Sequence, residues 1–317
     1  MKYFTVASND DGMRLDKWCK KHVPLPYGTV RKLFRKKDIK LEGKVAKIDT
    51  LIRTGQTVTV YAAFDVPSQT ISEYSPSKAQ IDELRNMVIY EDNNVIALNK
   101  PPGLPVQGGS GVKDSIDARL DGLSTDSVRP RLVHRLDRHT SGILLLGKSR
   151  ETASALTEAF RQRETQKIYW AVVMGTPAEQ MGSIDIPLGK IPHENYEKMA
   201  AITDPSGKEA LTYYRVIASC DEISWLELRP VTGRTHQLRA HLQAIGHPII
   251  GDGKYGGKSA FPTNHSVKTL HLHSRLLRIK QPYDVDVTAP LPGHIQQTLS
   301  HYSFPMDDQG VSLLELE

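Results

Sequence analysis

The chain has 317 residues, of which 39% are apolar, and a formal net charge of +5. That length fits one large domain plus a small one, or two medium domains, and the apolar share suffices for a sizeable core. No window approaches the run of about 18 apolar residues that a helical membrane span needs; Cys19 and Cys220 lie far apart outside any CxxC pair, so a reducing cytoplasm fits better than a disulfide scaffold.

The opening stretch, MKYFTVASNDDGMRLD, has no apolar signal core and carries Asp10 and Asp11, so neither a secretory signal nor a basic transit peptide is expected. In MRLDKWCKKHV, Leu15, Trp18, Cys19 and the His22–Val23 pair recur at helical spacing, with lysines between them. PLPY breaks that helix. GTVRKLFRKKDI then sets Val30, Leu33 and Phe34 on one helical face and Arg31, Lys32, Arg35, Lys36 and Lys37 on the others. A Glu-Gly turn and the alternating strand TVTVYA complete a module expected over residues 1–64. Between Gly12 and Ile48 there are twelve Lys/Arg and three Asp/Glu; from Asp307 onward there are four acidic residues and no basic one. Positive charge gathered on the first two elements is the electrostatic footprint that a nucleic-acid partner requires. Arg14, Lys17, Arg31, Lys32, Arg35 and Lys36 are therefore the candidate RNA contacts, a plain solvated surface being the alternative. Two short basic helices followed by a β-hairpin resemble the S-four type RNA-binding module shared with a small-subunit ribosomal protein.

Residues 65–79, DVPSQTISEYSPSKA, are polar, contain two prolines and show no period, which predicts a linker. Beyond it MVIYEDNNVIALNKPPG reads as strand, turn, strand and a Pro-Pro-Gly stop, and DSIDARLDGL as a helix. GILLLGKS predicts a buried strand, RETASALTEAFRQRE an amphipathic helix and QKIYWAVVMG another strand. EALTYYRVIAS and ISWLELRPV pair as a hairpin, THQLRAHLQAIG is a short helix ended by Gly246, and TLHLHSRLLRIK and YDVDVTAPLP are late strands. Strands dominate with few helices between them. Residues 80–305 are thus expected to be α+β, a mixed, mostly antiparallel central sheet with flanking helices, beside the small N-terminal α/β module. Residues 306–317 are expected to be a marginally ordered acidic tail.

RLVHRLDRHTSGILLLGKS, residues 131–149, sets Asp137 among Arg131, His134, Arg135, Arg138 and His139, just before a buried strand. A carboxylate beside guanidinium groups is held in its charged form, so it is a poor proton donor and a candidate nucleophile, electrostatic stabiliser or base. Thr140 and Ser141 can satisfy local backbone groups, Gly142 permits an unusual dihedral, and the strand fixes the loop. A turn-capping Asp in a structural ion pair is the competing reading. In RPVTGRTHQLRAHLQAIGHPIIGDGKYGG, residues 229–257, Arg234 follows a Thr-Gly turn at a helix start. His236 and Arg239 share one helical face and Gln237 and His241 another, and GDGKYGG is expected to be a flexible loop with a Lys and a Tyr. Tyr169 alternates with Ile168 and Trp170; one of the two aromatics suits stacking on a base and the other core packing.

Other chemistry is weakly supported. GGSGVKD lacks the ending of a phosphate loop, no HExxH occurs, and His271 and His273 have no acidic or Cys partners in sequence to complete a metal set. A triad on Ser141 would need arbitrary distant partners.

HRLDRHTSG at 134–142 resembles the first signature of the RluA-type pseudouridine synthases, and GRTHQLRAHL at 233–242 their second. HPIIGDGKYG follows at the matching place, NKPPGLPVQ at 99–107 resembles the strand and turn that open their catalytic domain, and QKIYWAVVMG their tyrosine-bearing strand. The likeness runs from about 88 to 295 and is strongest to the RluC-like branch acting on large-subunit ribosomal RNA. It implies isomerisation of uridine in RNA to pseudouridine, with no metal or organic cofactor. It also implies Asp137 as the essential carboxylate, Arg234 as its ion-pair partner, Tyr169 as the ring packing on the target base, and Arg135 as an RNA contact; Arg138, beside the carboxylate, is a further candidate RNA contact. The expected partner is RNA, with the protein a monomer in the cytoplasm and no membrane association.

Three other readings are open. A non-catalytic ribosome assembly factor would tolerate Asn or Ala at position 137, where the chain has Asp. A synthase of the same kind could act on transfer RNA. A glycoside hydrolase or RNA N-glycosidase would commonly use two partnered carboxylates, and only one acid stands in a signature.

Overall fold

The computed structural model describes residues 1–62, 74–109, 112–125, 128–193, 196–202, 206–263 and 266–305. The expected linker up to residue 73 and the acidic tail at 306–317 lie outside the described residues. The chain divides into two compact units, 1–73 and 74–317.

In the first unit the strands are β1 (Lys2–Thr5), β2 (Ile39–Leu41), β3 (Lys44–Val45) and β4 (Thr57–Val60), and the helices are α1 (Leu15–His22) and α2 (Tyr27–Lys36). The sheet runs β1-β4-β2-β3, antiparallel throughout. Leu15, Trp18, Cys19, Val30 and Leu33 turn inward onto Ile39, Val58 and Val60, so the helical spacing of the apolar residues becomes one buried face. Each such fully buried aliphatic side chain contributes roughly 1.5–3 kcal/mol. The basic side chains take the opposite faces. Lys17, Arg31, Lys32, Arg35 and Lys36 are exposed, and Arg31, Lys32, Arg35, Lys37 and Lys47 line a groove with Phe34. Arg14 is exposed too, but its guanidinium is engaged by Asp16, with Nε donating to Oδ1 at 3.1 Å.

The second unit opens with α3 (Lys78–Asn86). Ser77 caps it, accepting from the Gln80 amide in a capping box. The last two residues assigned to the linker are therefore helical. There follow β5 (Val88–Glu91), β6 (Val95–Lys100), α4 (Ile116–Arg119), β7 (Arg131–Leu132), β8 (Ser141–Gly147), α5 (Arg150–Gln162) and β9 (Thr165–Met174). After them come β10 (Met181–Asp185), β11 (Leu188–His193), β12 (Tyr196–Ala201), β13 (Leu211–Ser219), β14 (Ile223–Pro230), α6 (Gln237–Ala244), β15 (Leu272–Ile279), β16 (Val285–Thr288) and α7 (Gly293–His301). The helix read from DSIDARLDGL is only α4, continued by a 3₁₀ turn.

The main sheet runs β10-β13-β14-β9-β15-β8-β6-β5, with β16 on β15 and β7 on β8. Among the described residues its one parallel pair is β15 with β8, which gives the mixed, mostly antiparallel sheet. On β8, Ile143 and Leu145 pack under α5, while Leu144 and Leu146 join the core of α3 and α4 on the other face. On β9, Trp170 and Val172 pack with α7, and Ala171 and Val173 with α6. Strands covered on both faces read as continuous apolar runs for this reason.

The parallel seam depends on Gly142. Its φ is +102°, and a Cβ there would overlap the Ser274 carbonyl oxygen and lie 2.7 Å from the Ser274 amide nitrogen. Only glycine lets β8 and β15 approach so closely. The seam sets the loop just before β8 against the strand that pairs with Tyr169.

Candidate active site

A cavity of about 340 Å³ opens over this seam, within the size range of small-molecule pockets. Its lining includes Asp137, Tyr169, Arg135, Arg234, His236 and Arg239. Asp137 is the single carboxylate among the described residues that line it.

The loop bearing Asp137 is held from three sides. At its start, His134 Nε2 accepts from the Leu145 amide at 2.9 Å, while the ring stacks on Phe160 at 4.4 Å. Burial pushes this imidazole down to about 3, so it is neutral and carries its proton on Nδ1. At the centre, the Asp137 carbonyl accepts from the Thr140 amide at 3.1 Å, closing a turn. From below, Lys100 Nζ donates to the carbonyls of Pro101, Leu104 and Arg138 at 2.8, 3.0 and 3.0 Å. Gly103 donates its amide to the Arg138 carbonyl and accepts from Arg138 Nε at 2.9 Å. The NKPPG turn thus clamps the HRLDR loop. Lys100 is fully buried, and burial draws its ammonium down to about 7 against the opposing pull of Asp137.

The charge environment of Asp137 differs from the expected one. Arg135 and Arg138 flank it in sequence but are exposed; Arg135 lines the cavity, and Arg138 turns to Gly103. Arg234, the expected ion-pair partner, lines the cavity yet donates through Nε to the Glu209 carbonyl at 2.9 Å. The groups that reach the carboxylate are His236, with Nε2 at 3.6 Å from Oδ2, and Arg239, with Nη1 at 4.0 Å. The start of α6 explains this. His236 is its N-cap, in the left-handed region at φ +54°, and the Gln237 side chain accepts from the Arg234 amide. Arg234 therefore lies in the turn before the helix, whereas Arg239 sits in the first turn and faces inward. His236 and Arg239, read from sequence as sharing a face, both line the cavity.

Arg239 is anchored by Asp252, which accepts from Nε and Nη2 at 2.7 Å each, a bidentate pair in a buried setting. Burial opposes the Arg239 charge, but Asp252 outweighs it and the net direction is upward. The guanidinium lies 4.8 Å above the Tyr255 ring, and the Tyr255 hydroxyl is 2.8 Å from His236 Nδ1. Burial raises Tyr255 to about 12 and lowers His236. With the phenol as donor to Nδ1, the imidazole directs its Nε2 proton at Asp137. Asp252 and Tyr255 are both buried, so GDGKYGG is packed against α6 where a flexible loop was expected.

Tyr169 is half-buried on β9 and lines the cavity; Trp170, one residue on, is buried edge-to-face on Trp225 at 4.8 Å. The strand alternation thus divides the two aromatics between site and core. Burial raises the Tyr169 phenol to about 12, which keeps it protonated.

The histidines of HLH make no metal site. His271 contacts the Thr269 carbonyl and the Thr298 hydroxyl, and His273 contacts the Ser141 hydroxyl at 2.9 Å. The other nitrogen of His273 faces the Ala289 carbonyl at 3.3 Å instead of a carboxylate, and both Ser141 and His273 are buried. Among the described residues no group of three His, Cys, Asp or Glu could hold a metal ion.

One aspartate just before a central strand thus shares a cavity with a buried arginine and a half-buried tyrosine ring. The model of the RNA pseudouridylate synthase family matches residues 94–244. The chain is 35% identical over 288 residues to ribosomal large subunit pseudouridine synthase C of Rickettsia prowazekii, covering 88% of this chain and 94% of that protein. It is 31% identical to the protein of the same name from Vibrio cholerae, covering 95% and 96%. The solved structure of human RNA pseudouridylate synthase domain containing 4 superposes with a TM-score of 0.61 at 28% identity, over 72% of this chain and 97% of that one. The chain belongs to the RNA pseudouridine synthase family, of RluA type, and is an enzyme that isomerises uridine in RNA.

Proposed function

We propose that this protein converts uridines of large-subunit ribosomal RNA to pseudouridine, with Asp137 as the essential carboxylate. The observation that carries this reading is Asp137 itself, the lone acid among the described residues lining the cavity, facing Arg239 and His236 on one side and sharing the pocket with Tyr169. A base inside an RNA helix cannot enter such a pocket, so the nucleotide is flipped out at a cost of a few kcal/mol. Backbone contacts from Arg135 and from the exposed Lys17, Arg31, Lys32, Arg35 and Lys36 offset that cost; Arg234 lines the cavity, Arg138 follows Asp137 in its loop, and Arg14 belongs to the basic first module. Asp137 either attacks the sugar C1′ and displaces uracil, or takes the C2′ proton to leave a glycal. In both routes the glycosidic C–N bond breaks and the uracil leaves with the bonding pair and turns; C5 then bonds to C1′, displacing the Asp137 carboxylate in the first route or adding to the glycal as Asp137 returns the proton to C2′ in the second, and the C5 proton departs to solvent. Arg239 and His236 Nε2 face the carboxylate and aim it, and protonated Tyr169 packs on the base and serves the late proton transfer. Residues 1–64 act as the RNA-binding module ahead of a catalytic domain over 80–305. We place the protein in the cytoplasm as a monomer. Cys19 and Cys220 are both free thiols, in keeping with a reducing compartment, and no described helix is long and apolar enough to cross a membrane.

The test uses a large-subunit ribosomal RNA transcript tritiated at uracil C5. The wild-type protein releases tritium and leaves the base attached. Asp137→Asn releases none while binding the transcript with similar affinity. Conversion by Asp137→Asn at a comparable rate would remove the carboxylate from the reaction, and liberation of free uracil would make the enzyme a glycosidase.

A further inference from the structure

Lys167 belongs to the same cavity as Asp137 and has no role in the chemistry described above. It stands on β9 two residues before Tyr169, so strand alternation points both side chains to one face, about 7 Å apart along the strand. It is half-buried, with Nζ 6.0 Å from the centroid of the Phe160 ring, which itself stacks on His134. Among the described residues no carboxylate pairs with it; the charge acting on it is that of Arg163, which repels. Burial and Arg163 both lower its hold on its proton.

Lys100 is the instructive contrast. It is also buried, but three carbonyl oxygens receive its three protons. A half-buried ammonium with the Phe160 ring in place of such partners is costly in the free protein, and a ligand that brings negative charge relieves the cost. Arg135 lines the same cavity and leaves that flank cationic. A nucleoside packed on Tyr169 carries a phosphodiester on each side of its ribose, within reach of a lysine one same-face position along the strand.

We propose that Lys167 is a phosphate-binding residue whose ammonium pairs with an RNA phosphodiester adjoining the uridine held against Tyr169. This rests on the reading of the cavity as the uridine site. The subsite would act in binding and register, holding the backbone while the base turns, and would take no part in bond breaking.

The experiment measures affinity for a large-subunit ribosomal RNA transcript against salt concentration, in an Asp137→Asn background that prevents turnover. Adding Lys167→Met is expected to lower the slope of log affinity on log salt by about 0.7–0.9, the loss of one phosphate contact. Adding Lys167→Arg is expected to keep the slope. An unchanged slope with Lys167→Met would overturn the proposal, even where turnover in the Asp137 protein fell, because the lysine would then touch an uncharged part of the nucleotide. In the otherwise wild-type protein Lys167→Met is expected to leave or raise the thermal midpoint, since it withdraws a half-buried charge that no described carboxylate pairs with. A midpoint lower by several degrees would make the lysine structural and overturn the proposal too. Tritium release by the wild-type protein on the same transcript separates the two levels. Its absence sinks the functional reading and the subsite with it, whereas release with an unchanged slope sinks the subsite alone.

Discussion

Replacing Lys100 with Met removes an ammonium that is fully buried beneath the catalytic loop and bonded to three carbonyls. Burial draws this lysine from its ordinary 10.5 to about 7. A displacement of that size corresponds to on the order of 5 kcal/mol between the two protonation states. Between pH 7 and 10.5 the unfolded chain holds a proton that the folded protein lacks, so stability climbs with pH across that window. Below about pH 7 the lysine is charged in both states, and its contribution no longer varies. Lys100→Met abolishes the dependence. Urea unfolding of both proteins from pH 6 to 10.5, followed through a probe in residues 74–317, should show wild-type stability rising relative to the variant by up to that amount. Turnover of the variant should also drop on the order of tenfold, because about 1–3 kcal/mol of carbonyl satisfaction is lost at the loop that aims Asp137. Parallel stability curves for the two proteins across the whole window would show that Lys100 keeps its proton when buried, and the reasoning would fail.

Gly142→Ala forces a Cβ onto the Ser274 backbone at a φ of +102°, and should destabilise the protein by at least ~2 kcal/mol in chemical denaturation; a variant as stable as the wild type would mean that the β8–β15 seam can spread. Arg31→Gln, Lys32→Gln and Arg35→Gln together should lower the salt slope of RNA binding by about 2 to 3 while kcat stays the same. An unchanged slope would take this face of α2 out of the RNA contact.

Periodicity carried most of the secondary structure. The strands β8, β9, β13 and β14 and the helices α1, α2, α5 and α6 follow the apolar spacing of their segments, because burial of one face or two leaves that pattern directly in the residues. Shorter or more polar elements were not legible. The hairpin of β11 and β12 and the edge strand β10 carry little apolar alternation, and α3 begins inside a stretch that reads as linker. Asp137 and Tyr169 could be singled out from their local setting, and both line the cavity. Arg239, His236, Asp252, Tyr255 and Lys100 could not be ranked above their neighbours. The available signal was the helical face shared by His236 and Arg239.

The sequence by itself determined the mixed α+β class, the basic character of the first two helices, and the identity of the acid at the foot of β8. These follow from local period and composition, which need no knowledge of what folds against what. Only the tertiary structure decided which cation meets that acid. Arg234 and Arg239 are chemically alike and five positions apart, and a left-handed N-cap at His236 turns one to a backbone carbonyl and the other, braced by Asp252, toward the carboxylate. The strength of an ion pair depends on separation and burial, and both are set by how α6 packs against a loop about a hundred residues earlier in the chain.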